Sequence, residues 1–128
     1  MKLSLDTNAY VAFARGEAWA VGPMRQADQL LISVVVLAEL RSGFVCGNQS
    51  SRNEQSLTRF LNSKRVRIAE ANEETTHAYA RLFAWLRHQG TPIPTNDIWI
   101  AAVTLQNDAI LLSRDTHFEK LPQLACYV

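Results

Sequence analysis

Four acids in this chain stand where carboxylates are uncommon: Asp6, Glu39, Asp97 and Asp115 each end, open or line an apolar run. Asp6 closes Lys2-Leu-Ser-Leu5 and opens Asp6-Thr7-Asn8, and Asp115 follows Ala109-Ile-Leu-Leu112 within Ser113-Arg-Asp115. Asp97 precedes Ile98-Trp-Ile-Ala-Ala-Val-Thr-Leu105, a stretch apolar nearly all round and therefore buried if helical. Glu39 has Val35 and Val36 one turn before it and Ser42 and Gly43 one turn after it. With no cation at i+4 it is not a routine surface ion pair, and a part-buried charge has to be paired or bind a metal. If the four converge, their repulsion needs compensation, which a hard divalent cation such as Mg²⁺ or Mn²⁺ supplies. Such a cluster activates water and stabilises in-line attack at phosphorus. The reaction class that needs it is phosphodiester hydrolysis.

Each acid also has a purely structural use. Asp115 can cap Thr116-His-Phe-Glu-Lys120 as an N-cap or Asx-turn, and Asp97 in a first helical turn meets the helix macrodipole favourably. His77, His88 and His117 are not spaced as a metal set, so all three are expected to be surface or core histidines, with no His general base. Ser33 and Ser113 have no Ser–His–Asp context. Cys46 and Cys126 lie far apart, with no C-x-x-C, which excludes a zinc ribbon and argues against a disulfide framework. Their apolar neighbours predict buried neutral thiols.

The elements that must position the acids follow from periodicity. Lys2–Leu5 reads as a strand, and residues 7–15 and 18–28 as short helices. Leu30–Ser33 reads as a second strand, and a helix capped by Ser33 and closed by Gly47 carries Glu39. A polar helix over about 50–62 leads to a third strand, Val66–Ala69. The next helix is Glu73–Gln89, with Thr76, Tyr79, Ala80, Phe83, Leu86 and Arg87 at helical spacing and Gly90 ending it. Thr95 is expected to cap the helix Asn96–Gln106, followed by a fourth strand, Ala109–Leu112, and a short last strand near residues 125–128. Strands alternating with helices predict an α/β fold, a parallel sheet covered on both faces. Asp6 and Asp115 then fall at the carboxyl ends of strands, where open α/β sheets bind ligands.

Composition sets the outer bounds. The 128 residues fit one domain, 1–128, with 48% hydrophobic and 20% charged residues, an ordinary globular mix. Thirteen cations against twelve anions give net +1, which argues against a strongly cationic nucleic-acid binder. No apolar run approaches the ~20 residues of a membrane span, so a soluble, cytoplasmic protein is expected.

With these residues in view, Leu5-Asp6-Thr7-Asn8, Ser33 with Glu39-Leu40, Asn96-Asp97-Ile98-Trp99-Ile100-Ala101-Ala102 and Leu112-Ser113-Arg114-Asp115-Thr116-His117-Phe118 resemble the motifs of PIN-domain ribonucleases. The order and size resemble, more narrowly, the VapC-type toxins of bacterial toxin–antitoxin pairs, over essentially the whole chain. The resemblance puts the family's four acids on Asp6, Glu39, Asp97 and Asp115, with Thr7, Asn8, Asn96 and Ser113 as supporting polar positions. Ser113 stands where the family more often has Thr. It implies a Rossmann-like three-layer α/β/α sandwich with a central, mainly parallel sheet. It also implies Mg²⁺- or Mn²⁺-dependent endoribonuclease activity, a homodimer, and a small antitoxin whose C-terminal segment blocks the acidic site.

Within that reading Asp6 and Asp97 are the first choice as direct metal ligands. Glu39 and Asp115 complete the cluster directly or through water, one of them orienting the attacking water. Arg114 adjoins the site, and Arg15 and Arg41 are candidates to extend an RNA backbone track. Trp19 and Phe44 are candidates for an apolar groove that takes the antitoxin, while Trp99 is expected in the core. Two other classes compete. Phosphotransfer enzymes with acids at strand ends need Asp-x-Asp or a strand-end Lys, but Asn8 holds the third position and Lys2, Lys64 and Lys120 are poorly placed. A non-catalytic interaction module would use the acidic pocket only to bind a basic partner.

Overall fold

In a computed structural model, which describes residues 1–127, the apolar runs become a five-stranded parallel sheet in the order β3-β2-β1-β4-β5. The strands are β1 (Lys2–Leu5), β2 (Gln29–Ser33), β3 (Val66–Ala69), β4 (Ile110–Leu112) and β5 (Cys126–Tyr127). Val128, the last residue of the expected final strand, lies outside the described residues. Between the strands run α1 (Thr7–Ala14), α2 (Ala18–Gln26), α3 (Val34–Cys46), α4 (Ser50–Leu61), α5 (Glu73–Gln89) and α6 (Thr95–Gln106). A 3₁₀ turn, Thr116–Lys120, follows β4.

A strand buried on both faces reads as a continuous apolar run, and side chains alternate between the faces. The register pairs Leu3 with Leu30 and Leu5 with Leu112, and these four leucines pack with Ala9, Ala12, Ala20 and Met24 of α1 and α2. On the other face Ser4 lies beside Leu31 and Leu111. The Thr104 hydroxyl of α6 donates to Ser4 Oγ there at 2.8 Å. Leu111 has no exposed surface and belongs to the larger core cluster with Leu82, Leu86 and Ile98. Leu111→Ala is expected to cost about 2–5 kcal/mol, transfer plus cavity, measurable by urea unfolding. A cost near zero would mean that this face of the sheet is not packed as described.

Four local expectations are corrected. Thr95 is the first residue of α6, not its cap: Pro94 occupies that place, and its carbonyl accepts from Asp97 N at 3.0 Å. The buried stripe of α5 is Thr75, Ala78, Leu82 and Leu86, turned away from the Thr76–Ala80–Phe83 side, because α6 packs where small residues allow close approach. Cys46 and Cys126 are exposed, since one ends α3 and the other sits on the edge strand. Tyr79, Phe83 and Trp99 instead form an aromatic strip, with ring centroids 6.3 Å apart for Tyr79–Phe83 and 4.3 Å for Tyr79–Trp99. Trp99 is only partly buried, contrary to expectation.

The order of strands reverses direction at β1, so the carboxyl ends of β1 and β4 open onto a topological switch point, the usual binding crevice of open parallel sheets. Among the described residues no helix is long and apolar enough to cross a membrane.

Candidate active site

The crevice is built by chain ends. Asp6 caps α1: its Oδ1 accepts from Ala9 N at 2.8 Å, which satisfies a free amide of the first turn. Its Oδ2 accepts from the Ser113 hydroxyl at the end of β4, and the Asp115 amide donates to Ser113 Oγ at 2.9 Å. Asp115 in turn caps the 3₁₀ turn by accepting from His117 N at 2.9 Å. Ser113 therefore ties the first acid to the last across the sheet, and the two structural uses expected of these acids coexist with their convergence.

Glu39 projects from α3, whose cap is Ser33 Oγ accepting from Val36 N at 3.2 Å. The Thr7 hydroxyl donates to Glu39 Oε1 at 2.5 Å, and Asn96 Nδ2 donates to Oε2 at 3.3 Å. The supporting residues Thr7, Asn96 and Ser113 thus each hold a carboxylate, whereas Asn8 is exposed beside Asp6. Asp97 enters from the first turn of α6. Four acids from four separate segments face one crevice.

The electrostatics record that convergence. Asp6 is 4% exposed, and its carboxyl is held above the usual value, first by burial, with Ser113 and Ala9 pulling back and the charges of Asp115 and Asp97 adding to the rise. Asp97 is likewise raised, first by burial, relieved by His117 and raised further by Asp115 and Glu39. A set of oxygen donors that penalise one another's charge fits a hard divalent cation, which neutralises the charge and prefers such ligands.

His117 corrects the expectation that all three histidines stand apart. His77 and His88 are exposed, but His117 Nδ1 lies 2.9 Å from Asp97 Oδ2 and 3.2 Å from Asp115 Oδ1. Among the described residues, Asp97, Asp115 and His117 form the group whose potential ligand atoms all lie within 4.8 Å of one another. The usable signal was local. In a turn capped by Asp115, the residue two positions on has its amide bonded to that acid, which brings its side chain back over the same site.

The cations divide. Arg114, next to Asp115 in the chain, is exposed and stacks over the Trp19 ring at 4.5 Å, a cation–π contact that fixes its guanidinium. Arg41 is engaged by Glu54, Nε donating to Oε1 at 2.9 Å and Nη2 to Oε2 at 3.2 Å. Arg15 lines a groove with Tyr10, Val11, Phe44 and Arg52. Trp19 is not in that groove: it packs with Leu3, Leu5 and Met24.

Residues 3–124 match the PIN domain family. Ribonuclease VapC1 of Haemophilus influenzae strain R2866 is 31% identical over 126 residues, covering 94% of this chain and 92% of that protein. Ribonuclease VapC5 of Mycobacterium tuberculosis is 28% identical over 123 residues, covering 91% and 85%. The structure of VapBC2 from Rickettsia felis, bound to a DNA fragment from its promoter, superposes with a TM-score of 0.87 at 27% identity, covering 99% of this chain and 98% of that one. The family match, the relatives and the fold agree over nearly the whole length: the chain belongs to the PIN-domain family and, within it, to the VapC-type toxins.

Proposed function

We propose that the protein is a metal-dependent endoribonuclease, the toxin of a toxin–antitoxin pair, acting on RNA phosphodiester bonds at Asp6, Glu39, Asp97 and Asp115. The observation that carries this reading is the convergence of four carboxylates from four segments on the switch-point crevice, with Asp6 raised by burial and by the charges of Asp115 and Asp97, and Asp97 by burial and by those of Asp115 and Glu39. The relatives named ribonucleases supply the reaction class. Mg²⁺ or Mn²⁺, held by Asp97 and Asp115 with Asp6 and Glu39 completing the cluster, would supply Lewis-acid stabilisation of charge at phosphorus. Thr7, Asn96 and Ser113 fix the carboxylates, and an acid left free of the cation orients the attacking water.

Arg114, which stacks on Trp19, would contact a phosphate, and Asn8 would donate to a phosphate oxygen. Arg15 is a weaker candidate, and Arg41 weaker still while Glu54 holds it. For the antitoxin, the groove of Tyr10, Val11, Ala14 and Phe44 between α1, α3 and α4 suits the apolar face of a short helix, and Arg15 and Arg52 suit acids beside it. A homodimer is supported by the exposed apolar side chains along the α3 and α5 side, Val34 at 47% and Phe83 at 45%. A cytoplasmic site of action fits such a substrate.

The test is cleavage of total RNA by purified, partner-free protein with Mg²⁺ or Mn²⁺. Discrete new RNA ends that disappear with EDTA are expected. Folded protein that cuts no RNA pool would overturn the nuclease and leave a module that binds a basic partner through the same acids.

A further inference from the structure

Asp97 and Asp115 come from different elements, the first turn of α6 and the cap of the 3₁₀ turn, and between them stands one imidazole nitrogen. Both oxygens facing His117 Nδ1 are carboxylate oxygens, at 2.9 and 3.2 Å. An ionised carboxylate only accepts, so with both acids ionised Nδ1 carries the hydrogen and shares it between them. The backbone reinforces this arrangement, because the His117 amide also donates to Asp115 Oδ1. One residue thus grips Asp115 twice and reaches Asp97 as well. Two like charges brought together with no such bridge would repel.

We propose that His117 is a positioning residue of the acidic site: its Nδ1–H, shared by Asp97 and Asp115, holds the two carboxylates at the spacing that a single divalent cation requires. The inference rests on the proposed metal site and adds a residue to it. Partners that orient ligating carboxylates commonly cost 10–100-fold in metal affinity when removed.

The position of the nitrogen makes the idea testable without RNA. An asparagine amide nitrogen replaces Nδ1, whereas a glutamine amide nitrogen reaches the place of Nε2. Mn²⁺ binding to His117→Ala, His117→Asn and His117→Gln, measured by calorimetry on metal-free protein, should therefore split. Affinity should fall roughly 10–100-fold for Ala and Gln and stay within about threefold of wild type for Asn. Melting in EDTA shows that each variant is folded, and His117 is 39% exposed, so truncation leaves no large cavity. Unchanged affinity in a folded Ala variant overturns the proposal. So does loss in Asn with retention in Gln, which would assign the work to Nε2. Loss in all three variants also overturns it, because the imidazole would then be a direct ligand. A wild-type protein that binds neither Mn²⁺ nor Mg²⁺ removes the metal reading itself, and this inference with it.

Discussion

Asp6→Asn is expected to abolish RNA cleavage, by on the order of a thousandfold or more, while leaving the metal-free protein at least as stable as before. Charge stabilisation of a metal-assisted transition state amounts to several kcal/mol, and each ~1.4 kcal/mol is a factor of ten in rate. Removing one carboxylate weakens both cation binding and the charge that offsets it. The fold has no such need of the charge. An asparagine oxygen can still accept from the Ala9 amide, since Asn and Asp are comparable helix caps, and Ser113 Oγ can turn from donor to acceptor toward the new amide. The substitution also removes a carboxylate that burial already penalises. Cleavage assays beside a melting curve in EDTA separate the effects. A folded variant with more than about a tenth of wild-type activity would exclude a leading catalytic role for Asp6.

The second large effect is the cation's own. A ligand at a hundred times its Kd stabilises the fold by ~2.7 kcal/mol, roughly 10 °C for a domain of this size. The shift should grow with pH. Asp6 and Asp97 have folded-state pKa values above their unfolded ones, so their contribution to metal-free stability is intact below the unfolded value of about 3.9. It is lost as pH rises through the raised folded values. Over that same window protons cease to compete with Mn²⁺ or Mg²⁺, so the cation restores what ionisation removes. Melting curves from pH 4 to pH 8, with EDTA and with Mn²⁺, check the sign. A cation-induced shift that is flat with pH would show that the raised acids are not where the cation binds.

Much of this site could be read before any coordinates, for identifiable reasons. Asp6 and Asp115 terminate apolar runs too short to be helices, so the sheet forces them to its carboxyl edge. Glu39 was marked by what its helix lacks, a cation one turn on. His117 was hidden because nothing in its spacing to Asp97 signals contact; the turn that Asp115 caps brings it there. The buried face of α5 is hard to read in the sequence because Thr75 and Ala78 carry little hydrophobic weight. Yet they are the residues that let α6 come close, leaving Phe83 exposed and Tyr79 half-buried against Trp99. At Thr95 the choice of a hydroxyl as cap overlooked Pro94, whose carbonyl begins the helix while its missing N–H costs nothing there.

The tie between Ser113 and Asp6 joins residues 107 positions apart, and β1, the centre of the sheet, pairs with β4 as well as with β2. During synthesis at about 5–20 residues per second, the first acid leaves the ribosome well before the strand that completes its surroundings. Such long-range pairing is slow to form. A nascent chain interrupted before residue 115 therefore carries Asp6, Glu39 and even Asp97 without an assembled crevice. Topology itself delays assembly of the four-acid site until β4 and the turn after it have been made.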